Sequence, residues 1–190
     1  MIPYQGPSHS VMSDAYDAAR VIVLGFGNPS RGDDALAWEL LRLVAARPCH
    51  TPGQHSLELV ADTQLQIEHA LQLAHRDLAL FVDASVPGNA SYHFTRISAA
   101  RDTTYTSHAL SPAAVLYVYE QLFSDAPPPA FLLSIRGTQF GLDAPLSAEA
   151  SAHLKSAFRF WQKLCQQPYV TYWQLFSAPH NPRCQNPGVP

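Results

Sequence analysis

Dense apolar runs alternate along the chain with longer stretches in which apolar residues recur every three or four positions. "VIVLGF" at 21–26 is unbroken and β-branched, the pattern of a strand buried on both faces. From Asp34 onward, Leu36, Leu40, Leu43 and Val44 recur at helical spacing, and "RPCHTPG" breaks the pattern. "SLELV" predicts a second strand, followed by a helix that turns Leu65, Leu71 and Ala74 inward. "LALFV" at 78–82 is a third strand and runs directly into Asp83. "SVPGNA" turns the chain into "YHFTRI", a strand with partial alternation. After "TTYTSHALS" comes a helix with Leu110, Ala114, Val118 and Leu122 along one face. "FLLSI" is the fifth strand, "RGTQFGLDAPLS" a loop, and a helix over about 147–165 presents Ala150, Leu154, Ala157, Phe158, Trp161 and Leu164 inward.

Strands separated by helix-length amphipathic segments predict an α/β sandwich around a largely parallel sheet of about five strands. Residues 1–19 read as a flexible leader, 20–165 as the α/β domain, and 166–190 as a proline-rich aromatic tail. No regular structure is expected in the tail, although Tyr172, Trp173, Leu175 and Phe176 are available to dock on the body.

Composition narrows the partners. A net charge of -3 gives no footprint for DNA or RNA. No apolar run approaches the roughly 18 residues of a membrane span, and the first residues lack a basic start and apolar core, so a cytoplasmic protein is expected. Cys49, Cys165 and Cys184 are widely spaced and offer neither a disulfide framework nor a zinc-ribbon unit.

In a parallel α/β sheet, loops after the strands gather on one edge, where ligands bind at a switch in strand order. Asp33 and Asp34 follow strand one in "GFGNPSRGDD", Asp83 closes strand three, and His108 sits in a loop before a helix. Carboxylates gathered on one edge raise each other's pKa until a cation joins them, and an imidazole beside them suits zinc or nickel. The competing reading is local: Asp33 or Asp34 caps the next helix, Asp83 makes a turn and His108 a capping bond. Nucleotide binding is disfavoured, because "GFGNPS" lacks the third glycine of a dinucleotide fingerprint and two acids follow where phosphate would lie. No Gly-x-Ser-x-Gly elbow is present, His69 and His75 do not share a helix face, and Glu68-His69 reads as a solvated pair. The remaining histidines read as surface residues.

"VLGFGNPSRGDDALA", "LALFVDAS" and "TSHALSPAAVL", in that order, resemble the nickel-dependent maturation endopeptidases of [NiFe] hydrogenases. That family opens with a strand, Gly-x-Gly-Asn, an acidic pair and a helix, then places an Asp at a later strand end and a His before a helix. "FLLSIRGTQFGLDAPLSAEA" is similar to its final strand and loop. The resemblance implies a three-layer α/β/α sandwich in which Asp34, Asp83 and His108 bind the metal and carry the chemistry, with Asn28, Asp33, Asp62 and Thr63 in support. It implies a monomer that makes one cut, removing the C-terminal extension of a hydrogenase large-subunit precursor after nickel insertion. The nickel arrives with the substrate, and no organic cofactor is expected. The family's Asp-Gly-Gly-Thr stands here as "VADTQLQ", keeping Asp62 and Thr63 without the glycines, and Asp34 is one methylene shorter than the Glu frequent in relatives. Two rivals remain: a metal-dependent small-molecule hydrolase using Arg31 or Arg136 for an anion, and a non-catalytic domain that docks hydrogenase precursors.

Overall fold

The computed structural model describes residues 19–47, 55–85, 88–102 and 110–177. Its elements are β1 (Ala19–Phe26), a 3-10 turn (Gly32–Ala35), α1 (Leu36–Ala46), β2 (His55–Asp62), α2 (His69–Gln72), β3 (Leu78–Ser85), β4 (Tyr92–Ile97), α3 (Pro112–Phe123), β5 (Ala130–Arg136), α4 (Ala148–Gln166) and α5 (Val170–Gln174). The strands form one sheet in the order β2-β1-β3-β5-β4, parallel except for β4 against β5.

Both faces of the inner strands are apolar, so both are covered. Val21, Val23, Leu80, Val82, Leu133 and Ile135 pack beneath α1, α4 and Trp173 of α5. Ile22, Leu24, Ala79 and Phe81 face α2 and α3 through Leu65, Leu73, Val115 and Leu116. The result is the expected three-layer α/β/α sandwich. The chain leaves β1 for β2 on one side and returns to β3 on the other, so strand order reverses between β1 and β3.

Every predicted strand forms, and all six inward residues assigned to the last helix are buried. Ser111 and Ser147 start α3 and α4 by accepting from Ala114 N at 3.1 Å and Ala150 N at 3.0 Å. Other expectations need correction. The helix predicted after β2 is only the four-residue α2; Leu73 is buried there while Leu71 stands 56% exposed. The inner face of α3 is Ala113, Ala114, Val115, Leu116 and Tyr119, leaving Leu122 exposed. The tail does form structure: α5 buries Trp173 completely, and its indole donates to Leu164 O at 3.1 Å. Cys165 is disulfide-bonded, which the wide cysteine spacing did not announce. His69 and His153 are buried rather than at the surface. No helix among the described residues is long and apolar enough to cross a membrane.

Candidate active site

The loop after β1 is built around Asp34. Gly27 has φ +139°, and a Cβ there would stand 2.4 Å from Asp34 O, so this position accepts only glycine without strain. Asn28 N donates to Asp34 Oδ2 at 2.8 Å, while the Asn28 side chain accepts from Ser30 N at 2.9 Å and closes the turn. Trp38 Nε1 donates to Gly27 O at 2.7 Å and ties the loop to α1. Neither acid caps a helix by its side chain: the 3-10 turn and α1 both begin without a side-chain cap. Asn28 therefore serves Asp34 through its backbone and the turn through its side chain.

Asp33 turns the other way. It is fully buried and accepts from Thr138 N at 2.7 Å, Gln139 N at 2.9 Å, Ser147 N at 2.7 Å and Ser147 Oγ at 2.9 Å. Burial alone would raise its pKa, but the N–H groups of Ser147, Thr138 and Gln139 and the Ser147 hydroxyl outweigh it and hold the carboxyl below 3.8. The side chain thus fastens the 3-10 turn to the loop between β5 and α4, with both oxygens occupied.

Asp83 does not close β3, which runs two residues further to Ser85; it stands in the strand row of Phe26, since Val82 is opposite Gly25. Burial pushes its carboxyl up to about 7; the Ala84 N–H lowers it, and the negative charge of Asp34 raises it again. The charge of Asp34 is thus felt at Asp83 across the β1/β3 switch. His108 lies outside the described residues. Just beyond it, Leu110 N donates to Leu65 O at 3.2 Å, and Asp102 accepts from Ser111 N at 2.9 Å and Ser111 Oγ at 2.6 Å. Among the described residues, no three of His, Cys, Asp and Glu group as a metal cluster.

Asp62 is opposite Phe26 on the other side of β1, so Asp62 and Asp83 lie on one face two strands apart, about 10 Å between backbones. Asp62 Oδ1 accepts from Thr63 N at 2.6 Å. Asp62 Oδ2 stands 3.6 Å from Nε2 of His69, whose Nδ1 accepts from Gln66 N at 2.9 Å. The same Nδ1 lies 3.3 Å from Gln66 O, so the main chain of Gln66 holds the ring with Nε2 facing the carboxylate. This imidazole was missed because its partners meet across a turn, where no helical or strand period exists to reveal them. A groove of about 310 Å³ runs beside it, lined by Gln64, Gln66, Ile67, Glu68 and Leu110. Of the two cations weighed for an anionic substrate, Arg31 is exposed and Arg136 stands 3.6 Å from Glu149.

No family model and no curated protein matches the sequence. Solved structures do match. The [NiFe] hydrogenase maturation protease HycI from Thermococcus kodakarensis KOD1 is similar over 77% of this chain and 92% of its own, at 20% identity and TM-score 0.59. The hydrogenase maturating endopeptidase HybD from E. coli is similar over 75% of this chain and 89% of its own, at 21% identity and TM-score 0.58. A hydrogenase 2 maturation peptidase from Thaumarchaeota archaeon SCGC_AB-539-E09 follows the same course over 76% and 96%, at 17% identity and TM-score 0.53. This chain shares its fold with the [NiFe] hydrogenase maturation endopeptidases.

Proposed function

We propose that this chain is a hydrogenase maturation endopeptidase that removes the C-terminal extension of a [NiFe] hydrogenase large-subunit precursor once nickel is in place. The observation that carries the proposal is the pair Asp34 and Asp83 at the strand-order switch, with the Asp83 carboxyl held near 7 by burial and by its neighbour's charge. Two acids kept at that tension favour a cation, and a precursor that brings nickel supplies one. Asp34, Asp83 and His108 would receive the metal, so an unloaded precursor lacks its anchor. Anchoring orients the scissile peptide at the site, which supplies much of the rate advantage of a bound reaction. The nickel supplies Lewis-acid polarisation of the carbonyl or of a water. Asn28 and Gly27 hold Asp34 for this, and Asp33 keeps the wall of the site in place rather than moving protons, since its oxygens are engaged. Asp62, steadied by Thr63 and His69, lines the next strand, and the groove beside it suits an extended peptide. The protein acts as a cytoplasmic monomer on this reading.

The test is cleavage of nickel-loaded and nickel-free large-subunit precursor, read by intact mass. The extension is expected to leave only the loaded precursor, and Asp83→Ala or His108→Ala should abolish the cut. If folded protein leaves several loaded precursors whole, the docking reading replaces this one. Hydrolysis of a phosphate ester by the protein alone would favour the small-molecule reading.

A further inference from the structure

Two side-chain atoms at the carboxyl ends of β3 and β5 are buried without a hydrogen-bond partner: Ser85 Oγ and Arg136 Nε. Buried polar atoms are nearly always paired, and an orphaned donor costs its full desolvation. Register sets the two residues opposite each other, two positions beyond the pair Asp83 and Ser134. Side chains repeat on one face every second residue, so Ser85 and Arg136 leave the backbone on the face of Asp83, about 7 Å further along the strands, while the Arg136 guanidinium comes within 3.6 Å of Glu149 at the start of α4.

The backbone around them is committed. Gly137 N donates to Ser85 O at 2.8 Å, Arg136 N to Ser91 O at 3.0 Å, and His153 Nδ1 lies 2.8 Å from Arg136 O. What is unused is confined to the side chains. The Arg136 side chain is 26% exposed as a whole, although its Nε is itself buried. Glu149 Oε1 at 3.6 Å offsets part of the guanidinium charge and leaves the Nε–H unused. A partly neutralised cation beside a hydroxyl suits a neutral oxygen acceptor better than a free anion.

We infer that Ser85 and Arg136 bind a main-chain carbonyl oxygen of the precursor peptide flanking the scissile bond, an inference that rests on the protease reading above. They are binding residues two rows from the metal-receiving acids, and they fix how the peptide lies past Asp83. Their cost in the free protein is two unpaired donors, which substrate relieves.

Ser85→Ala removes one donor. Arg136→Lys keeps a cation opposite Glu149 and removes the Nε–H. With nickel-loaded precursor, each variant is expected to lose about tenfold in kcat/KM, mainly through a higher KM. The Ser85→Ala melting temperature should equal or exceed that of the unaltered protein, because an orphaned hydroxyl is gone. Unchanged kcat/KM in both variants, or a melting temperature that falls with activity, overturns the inference while the cut by unaltered protein upholds the protease reading. No cut by the unaltered protein overturns both.

Discussion

Asp83 follows Leu80, Phe81 and Val82, all fully buried, so its half-buried carboxyl is partly desolvated, and the charge of Asp34 adds to that penalty. It ionises near 3.8 when unfolded and near 7 in the fold. Between those values the folded protein keeps a proton that the unfolded chain has released. Stability therefore falls as pH rises through that window and stays reduced above it. Asp83→Asn removes the ionisation, so at pH 8 its melting temperature should exceed that of the unaltered protein by on the order of 5 °C. The two melting curves should converge near pH 4. If Asp83 receives the metal as proposed, that step should run the opposite way, because a ligand must shed its proton: association with a nickel-loaded precursor should weaken about tenfold per pH unit below about 7. Asp33 is its counterpart. Its folded pKa is lowered, so the stability it contributes is present above 3.8 and is lost as pH falls through the folded value. Asp33→Asn should cost about 2–3 kcal/mol, measured by urea denaturation. The adjacent acids were legible as a motif, but their division of labour was not: Asp33 is satisfied by residues more than a hundred positions away.

Gly32 and Gly137 are what let that long-range clasp close. Gly32 has φ +55°, and a Cβ there would meet Gln139 O at 2.5 Å; a Cβ on Gly137 would stand 2.8 Å from Asp33 Cβ. Gly32→Ala should therefore cost on the order of 1–3 kcal/mol, seen as a lower denaturation midpoint with an unchanged slope. The elements themselves were readable to the extent that their own period reports burial. The apolar strands and the long amphipathic α4 carry that signal strongly. α2 has four residues, too few for a period to distinguish Leu71 from Leu73, and in α3 the expected row of Leu110, Ala114 and Val118 does face the core, while Leu122 at its end runs out past it. α5 escaped notice because five residues between prolines and polar groups have little helical signature; burial of Trp173 against the body is what holds them.

The two faces of the sheet divide the molecule's tasks. By strand alternation, Asp83, Ser85 and Asp62 lie on the side of α2 and α3, whereas Trp173 packs with Phe94, Phe131 and Trp161 on the opposite side. The sequence placed the acids at strand ends, and the reversal of strand order between β1 and β3 is what makes those ends neighbours; no local pattern encodes that order. If the candidate site depends only on the carboxyl edge of the sheet, the far wall should set stability without setting chemistry. Trp173→Ala removes a fully buried indole and should cost about 3–5 kcal/mol. Its kcat/KM on the loaded precursor, measured well below the unfolding transition, should match that of the unaltered protein. Trp173→Phe gives a milder form of the same test where the alanine variant folds poorly. A fall in kcat/KM in a variant that remains folded would mean that packing under α4 and α5 transmits through β3 to Asp83, and that the two faces work as one unit.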